Sequence, residues 1–174
     1  MTIPLGLVVP WQKEHYFAPQ ADPPRFTRRA FDFRGDLVLM PLVHAFLRSC
    51  AADRDDDYRY VFDLLGTELA VNAIRHSRSG GPGGTYTLRV DRSTEGLKLT
   101  CRDDGVEDGS IPPSRELDHL SAPSPDACLF AESRRGLGLV DALATSWGDN
   151  GRPGYRHVWF FLAYDLADSA WPGL

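Results

Sequence analysis

Two short runs, TYTLRVD at 85–91 and GLKLTCRD at 96–103, alternate apolar and polar side chains and are joined by RSTE. Period-two alternation of this kind marks half-buried strands, and a short polar connection folds two of them back as a hairpin. One face of such a hairpin must leave water, so the remaining chain has to supply a covering layer. In the second run Leu97, Leu99, Cys101 and Asp103 fall on one face, and Lys98, Thr100 and Arg102 on the other. The face that should meet the core therefore ends on a carboxylate.

Helices on both sides of the hairpin in sequence can form the cover. GDLVLMPLVHAFLRSCAAD predicts a helix over about 36–52, and Pro41 is tolerated only in a first turn, which places its start near Met40. Asp55–Asp57 opens a second helix, DYRYVFDLLGTELAVNAIRHS, with acidic residues opposing the dipole at its start, and the GGPGG cluster at 80–84 ends it. RFTRRAFDFR, at 25–34, predicts a first strand with Arg29, Phe31 and Phe33 on one face. RRGLGLVDALATSWG predicts a glycine-rich entry and a third helix, and YRHVWFFLAY a last strand. Between them, 105 to about 134 is a proline-rich, polar connection with a short helical turn expected near 114–120, and connections of that length are usually functional or disordered. The fold class expected is an α/β two-layer sandwich, with a mixed, mostly antiparallel sheet and helices on one face.

Length and charge narrow the rest. With 174 residues the chain fits one domain, and a net charge of −5 argues against general nucleic-acid or anionic-membrane binding. Residues 1–24 read as a Pro-containing arm lacking a core of its own, 25–165 as the domain, and 166–174 as a tail. MTIPLGLVVPW has no basic residue before Lys13 and is broken by Pro4 and Pro10, unlike a targeting segment. No run reaches transmembrane length. Cys50, Cys101 and Cys128 are odd in number and widely spaced, which predicts reduced thiols in a cytoplasmic protein.

The second helix carries an unusual stripe. Glu68 and Asn72, four residues apart, share nearly one line along it; His76 continues that line and Arg75 lies beside it. Toward the N-terminus the same line is Val61 and Leu65, while Asp63 and Thr67 fall on a side where plain solvation explains them. A buried carboxylate and amide need partners. A hard cation with phosphate oxygens would use the Asn72 oxygen, and Glu68 could orient or deprotonate an attacking hydroxyl. The competing reading is a solvated helix edge. Asp103, in turn, is placed to accept from an exocyclic amine such as adenine's, with Gly105 leaving room for a flat base; an ordinary turn aspartate is the alternative. Gly136 and Gly138 ahead of an apolar helix would permit close backbone approach to phosphate, with Arg134 and Arg135 adding charge, although a plain helix entry looks the same.

In combination these segments resemble the GHKL ATPase superfamily with its Bergerat nucleotide-binding fold. ELAVNAIRHS is similar to its N-box, RDDG to its adenine-reading box and RRGLGLV to its phosphate-binding box, with the long connection as the ATP lid. The wording LLGTELAVNAIRH and GLGLVDALATSWG most resembles the bacterial anti-sigma factor serine/threonine kinases, in their actinobacterial form, over roughly 25–165. The resemblance implies ATP and Mg²⁺ as ligands, Glu68 as general base, Asn72 as Mg²⁺ ligand and Asp103 as adenine reader. It implies a pocket shaped further by Arg75, His76, Gly105, Arg134, Arg135, Gly136, Leu137, Gly138 and Leu139. It also implies a homodimer whose partners are a sigma factor and a small antagonist protein phosphorylated on serine.

Three positions depart from the family pattern. Glu107 stands for the second glycine of Asp-x-Gly-x-Gly, Arg134 for a glycine two residues before Gly136, and His157 for the small hydroxyl residue usual before Val-Trp. These keep open a binding-only regulator or an interaction module that has lost nucleotide. A histidine-kinase catalytic fragment is a further alternative, for which His44 is the candidate phosphoacceptor on the first helix.

Overall fold

The computed structural model describes residues 9–18, 26–106, 117–121 and 132–171, with side chains at 132–135 excepted. Its strands are β1 (Arg28–Arg34), β2 (Thr85–Arg92), β3 (Gly96–Asp103), β4 (Ser146–Asp149) and β5 (Arg156–Ala163). Its α-helices are α1 (Met40–Cys50), α2 (Asp56–His76) and α3 (Glu132–Leu143), joined by short 3₁₀ turns at Trp11–Tyr16, Leu37–Leu39 and Arg78–Gly80. The sheet order is β1-β2-β3-β5-β4, and every neighbouring pair is antiparallel. The helices pack on one side of it, giving the expected two-layer α/β sandwich. Among the described residues no helix is long and apolar enough to cross a membrane.

Local chemistry accounts for the helix boundaries. Pro41 sits in the first turn of α1, where its missing N–H is harmless. The Asp55 side chain accepts from Tyr58 N–H at 2.8 Å, Asp56 and Asp57 occupy the first turn of α2, and Arg75 and His76 its last. The hairpin register pairs Leu88 with Cys101 and Val90 with Leu99, so the apolar face of both strands meets the helices. Phe46, Leu47, Phe62, Leu65, Leu88, Leu99 and Phe160 are fully buried in that interface.

Tyr58 ties the layers together. It is fully buried; its hydroxyl donates to Leu162 C=O at 2.8 Å and accepts from Leu97 N–H at 3.3 Å, bridging α2 to β5 and β3. Tyr58→Phe leaves two buried backbone groups without that partner, so we expect a loss of about 1–3 kcal/mol in urea unfolding at unchanged m-value. An unchanged midpoint would show that the bridge contributes nothing.

The structure corrects two expectations. The third helix does not run through Trp147: it stops at Leu143, and Ser146–Asp149 form an edge strand on β5. The hydrogen bonds Thr145 N–H to Phe161 C=O (3.0 Å) and Ala163 N–H to Thr145 Oγ1 (2.9 Å) replace what further helix would have supplied. Asp63 is not solvated but 7% exposed, accepting from Arg48 Nε at 2.9 Å and contacting His44 Nδ1 at 2.7 Å, which clamps α1 to α2. The arm also contributes to the core, for Val9 and Phe17 are 3% and 6% exposed within it, while Trp11 stays exposed.

Cys50 and Cys101 are free and buried. Burial pushes the Cys50 thiol up to about 12 against the pull of Arg29 and Arg92, and drives Cys101 well above its usual range. Neither supplies a thiolate at neutral pH. Cys128 lies outside the described residues, as does most of the expected helical turn near 114–120, whose end at 117–121 is not helical.

Candidate functional site

A hollow of about 270 Å³ opens where α2, the end of β3, β5 and α3 converge. Leu69, Asn72, Ala73 and His76 come from α2, Cys101 and Asp103 from β3, Leu137 from α3, and Arg156 and Val158 from β5. Gly105, Val106 and Leu120 complete the wall. Most of this lining is apolar, with a few polar atoms converging on it, the usual character of a small-molecule site.

Asp103 forms the floor. It is 8% exposed, as the strand alternation demands, and its Oδ1 accepts from Gly105 N–H at 2.7 Å. Burial holds the carboxyl above its ordinary range, against the Gly105 N–H and the Arg156 guanidinium, which favour the ionised form. Gly105 has φ +63°, and a Cβ there would sit 2.0 Å from Pro153 O. The turn therefore requires glycine for backbone approach, in addition to any room it leaves for a ligand. Arg78 N–H donates to Gly105 C=O at 2.7 Å and Asp104 N–H to Ser79 Oγ at 3.0 Å, binding the strand end to the C-terminus of α2.

One turn up α2 the stripe meets α3. A Cβ on Gly136 would lie 2.6 Å from Glu68 Oε2 and 3.3 Å from Asn72 Nδ2, so a side chain there would displace the Glu68 carboxylate. Glu68 is half-buried, and burial raises its carboxyl above the ordinary range while Arg75 works against the shift. Asn72 belongs both to this cluster and to the hollow. The result is a hollow lined by the Asp103 carboxylate and the Asn72 amide, with the Glu68 carboxylate in the adjoining cluster that Asn72 shares.

Other predicted positions fare unequally. His76 lines the mouth and is exposed; Arg75 is exposed and acts through its charge on Glu68. Leu137 lines the hollow, whereas Gly138 and Leu139 are half-buried without lining it. Gly136 and Gly138 are not ahead of the helix but inside α3, beyond the four N-terminal residues whose N–H groups are free. Phosphate-binding N–H groups would come instead from the first turn, which holds Arg134 and Arg135; their side chains, and Glu107, lie outside the described residues.

The structure also places the third departure, His157. β3–β5 register pairs Arg102 with His157 and Asp103 with Arg156. His157 thus sits on the sheet face away from the hollow, beside the Tyr155 ring at 4.7 Å, and Arg156 takes the pocket side. Counting alternation back from the apolar Val158 and Phe160 would have found Arg156 in the sequence. Leu120 carried no such signal.

A larger hollow, about 540 Å³ between α1, α2 and the N-terminal turn, contains none of the predicted residues. Its cations are already matched, Arg48 by Asp63 and Arg59 by Asp56. Nor does any trio of His, Cys, Asp and Glu side chains stand ready for a metal among the described residues.

Comparison with known proteins agrees with this geometry. The search of curated proteins matched none. A family model, the histidine kinase-like ATPase domain, matches residues 33–160. That span runs from the end of β1 into β5, takes in α1, α2 and α3, and includes every residue that lines the Asp103 hollow. The chain belongs to the histidine kinase-like ATPase family, of GHKL type.

Proposed function

We propose that this protein binds Mg·ATP in the Asp103 hollow and phosphorylates a serine or threonine on a small antagonist protein, in a partner-switching pathway that controls a sigma factor. The observation that carries the reading is that Asn72 and Asp103, from two separate elements, line one hollow, while Glu68 lies beside Asn72 where α2 meets Gly136. Bound ATP supplies the phosphoryl group. The carboxylate of Asp103 accepts from the adenine amine, and Leu69, Ala73, Leu137 and Val158 enclose the ring. The amide oxygen of Asn72 would hold Mg²⁺, which would supply charge to offset that of the phosphates. Glu68 takes the proton of the attacking hydroxyl, and burial, by raising its carboxyl, makes it a stronger base than an exposed glutamate. The sigma-factor and antagonist partners, the homodimer and the cytoplasmic setting rest on the resemblance of the motif wording.

A binding-only role is favoured by one observation, the placement of Gly136 and Gly138 inside α3, where their amides serve the helix. The histidine-kinase alternative finds no support at His44, which is engaged with Asp63 on a helix packed against α2.

Incubating the protein with Mg·ATP and a candidate antagonist, followed by mass spectrometry, separates the readings. Phosphoserine on the antagonist that falls at least about 100-fold in Glu68→Ala supports the kinase. Stabilisation by Mg·ATP without phosphorylation supports the binding-only role. Phosphorylation undiminished in Glu68→Ala refutes the assignment of the base.

A further inference from the structure

The segment 117–121 places Leu120 in the wall of the hollow. It has no helix or strand of its own to hold it. What fixes it is the carboxylate of Asp149, at the end of β4, whose side chain is 2% exposed. Asp149 Oδ1 accepts from the His119 ring at Nδ1 (2.9 Å) and from Leu120 N–H (3.3 Å). Oδ2 accepts from Gly151 N–H (3.1 Å) and from Arg156 NH1 (3.4 Å). An ionised carboxylate only accepts, so His119 must carry its proton on Nδ1. Asp118 N–H donates to Gly151 C=O at 2.8 Å, and a Cβ on Gly151 would meet the His119 ring at 2.8 Å. The β4–β5 turn is thus cut to fit this segment.

The same carboxylate also holds Arg156, whose guanidinium acts on Asp103 across the β3–β5 pair. We infer that Asp149 is a positioning residue of the nucleotide pocket: it latches 117–121 through His119 and Leu120 and orients Arg156, so that one buried carboxylate fixes both the outer wall and the cation beside the floor. This deepens the nucleotide reading and rests on it. Charge-assisted hydrogen bonds to a buried carboxylate are strong enough to govern residence time. Loss of the latch should appear mainly in dissociation, where most affinity differences between closely related complexes lie.

The test uses full-length protein, Asp149→Asn and His119→Ala, with ribose-labelled fluorescent ATP and Mg²⁺ in stopped flow. His119→Ala guards against a folding defect, since that side chain is 54% exposed and the turn bonds of Asp149 stay intact. Both variants should release nucleotide about tenfold faster with association within about twofold. In nucleotide-free protein, amide exchange at Leu120 should rise in both. Parent-like dissociation in His119→Ala, or unchanged exchange at Leu120, overturns the latch while leaving the nucleotide reading standing. A parent that binds no labelled ATP overturns that reading, and this inference with it.

Discussion

Asp103→Asn lowers affinity for Mg·ATP by about 100-fold without weakening the fold. One Asp103 oxygen is occupied by Gly105 N–H at 2.7 Å, a role the asparagine oxygen can keep. The other position then becomes an NH₂ group that faces the adenine amine donor to donor, replacing a charge-assisted bond by a repulsive contact, a change of about 3 kcal/mol. The apo protein should respond in the opposite direction. Burial raises the folded carboxyl above its unfolded value of 3.8, so ionisation costs the fold stability once pH exceeds the unfolded value, and fully so above the folded one. Removing the charge removes that cost. Unliganded Asp103→Asn should therefore melt at or above the parent temperature at pH 7, with the difference shrinking on acidification toward the unfolded value. Calorimetric titration and thermal melts check the two halves separately. A variant that loses nucleotide and melts early would mean that Asp103 is structural.

Gly136→Val lowers ATP-dependent phosphorylation by about 100-fold, again with the fold intact. The new Cβ falls 2.6 Å from Glu68 Oε2, the far end of a flexible side chain that can swing aside. Stability therefore changes little, and Gly136→Ala, which adds the same Cβ, gains up to about 1 kcal/mol from helix propensity. The displaced group is the proposed base, and a misplacement of about 1 Å at a reacting group is enough for a loss of that order. Gly136→Ala should fall between parent and valine in activity while melting no lower than the parent. If both variants phosphorylate at the parent rate, Glu68 is not where the chemistry happens.

How much of this could be read from the chain depended on the range of the contact involved. The hairpin, α1, α2 and the inward aim of Asp103 follow from periodicity, which is local and survives in any tertiary setting. Glu68 and Asn72 stood out for the same reason, being four residues apart on a helix. β4 was missed because four residues, Ser146–Asp149, with a glycine among them give no periodic signal, and only pairing with β5 makes them a strand. The glycines of α3 were assigned outside the helix on intrinsic propensity, which the packing of Gly136 against Glu68 and Asn72 overrides. Asp63 and Asp149 share a different cause. Asp63 takes its partners 15 and 19 residues away, and Asp149 joins near partners, Gly151 and Arg156, to His119 and Leu120 about 30 residues back, so the distant half of each set has no local signal.

A crystal structure with Mg²⁺ and a non-hydrolysable ATP analogue tests the central claim most directly. The account predicts the adenine amine about 2.7–3.2 Å from the Asp103 carboxylate, with Mg²⁺ on the Asn72 amide oxygen and Glu68 facing the terminal phosphate. Nucleotide seated in the hollow between α1, α2 and the N-terminal turn, with Asp103 untouched, would contradict it.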